Sequence, residues 1–150
     1  MFYKNTLNLK NETNMKKLGL IILALILSQQ IYSQMHISTN LREDFTWSDS
    51  QAKWIFVSQD PESSTLFDFN KEITMFKHTT ESISSSYYVK SSSSDKEKGI
   101  LELDVVSDVG NKYHVVVDPI NKNIRLVGTD KNGTSFLVRH TIKKLWFEDK

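Results

Sequence analysis

The chain has 150 residues, of which 19 are basic and 18 acidic, and it contains no cysteine. That length suits one domain with a modest core. Without cysteine there is no disulfide framework, thiolate metal site, thiol catalysis or lipid-bearing cysteine within it, and a formal net charge of +1 argues against the strongly basic face that nucleic acid requires.

The first element in chain order reads as an export signal. Lys16 and Lys17 form a basic start, and Leu18 to Leu27 follow as ten residues without a charge. Ser28, Gln29 and Gln30 then break the apolar run. A basic lead, a short apolar stretch and a small-residue cleavage site define a secretory signal. Ten apolar residues are too few to span a bilayer, which takes about 20, so no stable membrane anchor is expected after cleavage. The expected signal covers residues 1–33, forms a helix before it is removed after Ser33, and has its natural start at Met15. Four basic residues and one acidic residue lie in that segment, so the remaining 34–150 carries a net charge near −2.

From Gln34 onward the composition favours strands. Ile, Val, Phe, Tyr and Thr occur in short runs between clusters of Asp, Asn, Gly, Ser and Pro. Strands are expected over Trp54–Val57, Thr65–Phe69, Ile73–His78, Ile83–Lys90, Ile100–Val106, Tyr113–Val117, Ile124–Gly128 and Phe136–Ile142, with a further short one at Phe45–Trp47. Ser91 to Lys98, polar and charged, is expected to be disordered. Lys143 to Phe147 either continues the last strand or docks over an open end of the sheet.

Residues 99–142 permit a register argument. Gly110 fits the left-handed position of a three-residue hairpin that pairs Ser107 with Asn111. Val105 then opposes Tyr113, Leu103 opposes Val115 and Leu101 opposes Val117. A turn at Pro119 to Lys122 pairs Asp118 with Asn123. A third, at Lys131-Asn132-Gly133, pairs Asp130 with Thr134. Side chains alternate across a strand, so these three turns assemble a single apolar face that also holds Ile124, Leu126, Val138 and His140. Their agreement identifies a four-stranded antiparallel meander.

The opposite face of the meander is mixed. One row across it reads Glu102, Val116, Arg125, Arg139; its neighbour reads Asp104, His114, Val127, Leu137. Asp104 beside His114 has the form of a carboxylate orienting an imidazole, though a cross-strand charge pair is the commoner meaning, and no G-x-S-x-G nucleophile elbow accompanies it. Arg125 opposite Arg139 places like charges together. Both side chains splaying into solvent is the commoner outcome; otherwise the pairing invites a shared anion, either Glu102 reaching across or an external ligand. Glu102, Asp104, His114, Arg125 and Arg139 are thus the candidate ligand or partner face. His36, His78, His114 and His140 match no metal-ligand spacing and read as separate residues, with His140 at the edge of the core. Trp47, Trp54, Trp146 and the phenylalanines read as core filling, with lining of a ligand cavity as the alternative.

The expected architecture is all-β: a single antiparallel meander domain over 34–150, forming a strongly curved sheet, a partly closed barrel or a small sandwich. It resembles the lipocalins in architecture alone, because their Gly-x-Trp signature is absent: Trp47 follows Phe45-Thr46 and Trp54 follows Ala52-Lys53. The expected function is a non-catalytic binding or interaction domain, secreted or periplasmic, without metal or cofactor. Its partner is a protein, an envelope component or a small ligand, and its oligomeric state is left open. The alternative is a barrel-type carrier of a small apolar or amphipathic ligand.

Overall fold

The computed structural model describes residues 33–149; the expected signal segment, with Met15, lies outside them. Eight antiparallel strands follow one another in chain order: β1 Ser33–Ser48, β2 Lys53–Phe69, β3 Met75–Thr79, β4 Ser84–Asp95, β5 Ile100–Ser107, β6 Lys112–Asp118, β7 Asn123–Thr129 and β8 Ser135–Asp149. Each pairs with its neighbour, and β8 returns to β1, closing an up-and-down barrel. Closure pairs the first strand with the last and so removes the two end edges of an open sheet, although β2 and β8 each run on past a shorter neighbour.

An eight-stranded barrel is just wide enough for its own side chains to fill. Here Ile37, Phe67, Phe76, Leu103, Val115, Val117 and Ile124 are fully enclosed, and Phe69, Val105 and Leu126 nearly so. The register of the meander is the one that the turns dictate. Leu101, Leu103 and Val105 face Val117, Val115 and Tyr113, and Leu126 sits between Val115 and Val138. Gly110 and Gly133 adopt φ of +87° and +82°, and Ser107–Asn111 and Asp130–Thr134 close their hairpins through backbone hydrogen bonds of 2.8 and 2.9 Å.

The N-terminal half departs further from expectation. β1 is a 16-residue strand, where only Phe45–Trp47 was expected. Its outward residues (His36, Ser38) are polar and its inward ones (Met35, Ile37, Thr39) small in number, so the alternation is easily missed. Trp54–Val57 and Thr65–Phe69 are the two ends of one strand, β2, and the stretch between them stays extended by pairing with β1. Ile73 lies before β3, in a turn at φ +51°. Asn70 holds that turn by accepting hydrogen bonds from the Thr74 and Met75 amides at 2.8 and 3.0 Å. Ser91 to Asp95 is not disordered: it extends β4 against β5, and the Ser91 hydroxyl donates to Asp104 at 2.7 Å. Lys143 to Phe147 continues β8, pairing with β1 to close the barrel. None of the three tryptophans belongs to the buried core; Trp47 packs edge-on to Trp54, and Trp146 stacks on His36.

Candidate functional site

Three places concentrate chemistry: the outward face of the meander, a polar cluster inside the barrel, and the mouth where β8 runs on past β7.

The outward rows lie in the expected register. Glu102 faces Val116, Val116 faces Arg125 and Arg125 faces Arg139; Asp104 faces His114. His114 Nδ1 donates to Asp104 at 2.9 Å, while its Nε2 lies 3.6 Å from Glu102. The His114 and Ser91 hydrogen bonds hold the Asp104 carboxyl below its usual range. The two arginines pair with different carboxylates. Arg139 takes Glu43 of β1 in a bidentate pair at 2.7 and 2.9 Å and covers the Phe45 ring at 5.0 Å. Arg125 turns instead to the buried Asp118 at 3.5 Å. Barrel closure supplies Glu43, a partner that residues 99–142 alone could not reveal, and each guanidinium relaxes toward its own carboxylate. A groove of about 480 Å³ runs beside Asp104 and His114, bordered by Lys90, Lys112, Tyr113 and Val127. Asp104 and His114 are hydrogen-bonded to each other at its edge, while Arg125 Nε on the same face is buried without a hydrogen-bond partner.

The interior cluster arises from a break in register. Between the Thr39–Thr65 and Leu41–Pro61 pairs, β1 has only Asn40 while β2 has Glu62, Ser63 and Ser64. Such a bulge resets the inside-outside phase of a strand. It turns Glu62 inward, where its side chain is 8% exposed. His140 of β8 is enclosed, and its Nδ1 donates to both Glu62 oxygens at 3.0 Å. An ionised carboxylate only accepts, so the proton lies on that nitrogen. The Thr39 hydroxyl adds a 2.7 Å bond to Glu62 Oε2. Burial alone would raise the Glu62 carboxyl; the His140 hydrogen bond and charge, with the Thr39 and Thr65 hydroxyls, more than offset it and hold the group below its usual value.

His78 of β3 completes the cluster. It stacks flat on Phe67 at 4.3 Å between ring centres and meets His140 edge-on at 5.3 Å. Its Nε2 is cut off from solvent and has no hydrogen-bond partner. Burial first, then the charge on His140, push the imidazole down to about 4, so it is neutral at physiological pH. A polar pocket of about 250 Å³ opens beside Glu62, lined by Arg42, Asp60, Thr65, Thr80 and Glu81.

The third place is the opposite mouth. β7 pairs with β8 only from Ser135 to Thr141, and below that point β8 has β1 alone as a neighbour. The Ile142 amide makes the last link, donating to the Lys122 carbonyl at 2.8 Å. The gap is a pocket of about 390 Å³ with Pro119, Ile142, Leu145 and Phe147 as apolar walls. Ile142, Leu145 and Phe147 pack directly on the core. Lys122, Lys143 and Lys144 border it, and Lys143 is the extra residue at a register shift between β8 and β1.

No family model, no curated protein and no solved structure matches this chain.

Sequence reasoning placed the charged outer face but missed both ends of the barrel. Glu62, His78 and His140 are far apart in the chain and meet only through closure and a bulge. The basic triplet at the lower mouth had a faint signal: Lys143-Lys144 interrupts an otherwise apolar alternation between Ile142 and Leu145.

Proposed function

We propose that this protein is an exported, non-catalytic binding protein that takes a small anionic amphiphile, such as a fatty carboxylate, in the lower mouth of its barrel. Export rests on Lys16-Lys17 and the apolar run behind them. The observation that carries the reading is the pocket between β7 and β8: apolar walls continuous with the core, bordered by three lysines. Small-molecule sites are concave, of about 300–1,000 Å³, mostly apolar, with a few polar groups that fix orientation, and this pocket has that composition. An acyl chain would lie against Ile142, Leu145 and Phe147 with its carboxylate among the lysines. The outward rows of the meander interleave Glu102, Asp104, His114, Arg125 and Arg139 with Val116, Val127 and Leu137, unlike the continuous apolar band that faces lipid in a membrane barrel.

Calorimetric titration with dodecanoate tests this reading. Saturable one-to-one binding is expected, together with weak or no binding of the cationic dodecyltrimethylammonium. Equal affinity for both amphiphiles, or no heat with dodecanoate, removes the proposal. A second reading has its own observation: Phe56 and Val57, 52% and 59% exposed on the β1–β2 hairpin, offer an apolar contact to a protein partner. Loss of that partner's binding in Phe56→Ser, with dodecanoate binding intact, would favour it.

A further inference from the structure

We infer that Glu62, His78 and His140 form a binding site for one divalent transition-metal ion of the zinc class, inside the barrel and independent of the amphiphile pocket. A ring nitrogen of each histidine and a carboxylate oxygen of Glu62 all lie within 4.8 Å of one another. A tetrahedral zinc ion with bonds of about 2.0–2.2 Å draws its donors to about 3.3–3.6 Å apart. The His140–Glu62 separation is already 3.0 Å, so the contraction falls mainly on His78.

The donor chemistry fits such an ion. Two imidazoles and one carboxylate are nitrogen and oxygen ligands of the kind that zinc takes in sites with three protein ligands and one open position. A cation between His140 and Glu62 would replace the proton that they now share. It would also give a role to His78, whose buried Nε2 makes no hydrogen bond; a buried polar atom without a partner costs about 1–3 kcal/mol. The supporting groups that metal sites need to orient their ligands are in place. The Thr39 hydroxyl fixes the Glu62 carboxylate, and Phe67 packs flat on one imidazole and edge-on to the other. Of the three donors Glu62 lines the polar pocket, together with Arg42, and an exchangeable water or small anion entering on the Glu62 side would complete the shell.

The other histidines with acidic neighbours show the contrast. His36 contacts Asp68 through Nδ1 and Glu148 through Nε2. His114 contacts Asp104 and Glu102 in the same divided way. In both, the carboxylates lie on opposite ring nitrogens and cannot converge on one ion. Among the described residues, only the interior cluster brings three donors together.

The full chain, stripped with a chelator and dialysed, should take up one equivalent of Zn²⁺ in competition with a chromophoric chelator. Co²⁺ should give the intense visible absorption of a tetrahedral site. Glu62→Gln and His78→Phe should each lower Zn²⁺ affinity by more than the roughly 10–100-fold typical of losing a supporting group, while His114→Ala should leave it unchanged. The inference is overturned by equal Zn²⁺ uptake in the wild type and both interior variants, by loss of the ion in His114→Ala, or by the weak absorption of six-coordinate Co²⁺. The Co²⁺ spectrum is read on the unaltered protein, so it decides the matter even if the interior variants fail to fold.

Discussion

His78 should make the metal-free barrel sensitive to acid. Its ordinary value of 6.5 is pushed down to about 4 by burial and by the charge on His140. Facing it are Glu62 from β2, His140 from β8 and Arg42 from β1; the first favours its protonation and the other two oppose it. The unfolded chain binds a proton at this imidazole below about pH 6.5, and the folded chain does so only near 4. Stability from His78 is therefore fully present above pH 6.5 and is lost as pH falls toward 4. A difference of about 2.5 units at 1.36 kcal/mol each amounts to about 3 kcal/mol, a large part of the 5–15 kcal/mol typical of whole domains. Glu62, whose carboxyl is held below 4.5, adds a further loss in the same direction at lower pH. The assay is urea unfolding followed by tryptophan fluorescence, with a chelator present, at intervals from pH 7.5 to 4. The wild type should lose about 1.4 kcal/mol per pH unit relative to His78→Phe across the middle of that window. Parallel curves for the two proteins would mean that His78 is solvated and titrates normally, and would refute the interior placement.

Other perturbations test other parts of the barrel. Leu103 is fully buried between Val115 and the serine-rich arm of β4, so Leu103→Ala should destabilise by about 2–5 kcal/mol in the same unfolding assay. A methyl group at Gly128 would meet the Phe136 ring tip at 2.7 Å and Tyr113 at 3.0 Å; Gly128→Ala should cost about 1–3 kcal/mol and alter the near-ultraviolet signal of those two rings. Lys143→Glu at the lower mouth should abolish dodecanoate binding in calorimetry while leaving the urea midpoint within about 0.5 kcal/mol of wild type, as expected for an exposed surface position.

The C-terminal half was legible because its turns are chemically explicit. Gly110 and Gly133 need left-handed backbone, and once those turns are placed, period-two alternation fixes every opposing pair from Leu101 to Val138. The N-terminal half lacks such punctuation. β1 and β2 hide their inward residues among Ser, Thr, Asp and Glu, and three residues opposing one at Asn40 break the alternation that pattern reading depends on. Closure is a long-range event between residues more than 90 positions apart, as with Glu43 and Arg139, and local pattern carries no trace of it. The register of the charged face was legible, but the Glu43 partner of Arg139 was not, for that reason. Arg139 looked unpaired until β1 arrived beside it. His78 and His140 looked like unrelated residues because their convergence depends on the β2 bulge and the closed cross-section.

The barrel is filled, and the opening proposed for the amphiphile lies beside the end of β8. The most direct test is a backbone and methyl NMR titration of the protein with dodecanoate. Shifts confined to Ile142, Leu145, Phe147 and the Pro119–Lys122 turn, with Leu103 and Val115 unmoved, are the predicted result. Shifts centred instead on Phe56 and Val57, or spread along the barrel axis through Leu103 and Val115, would contradict it.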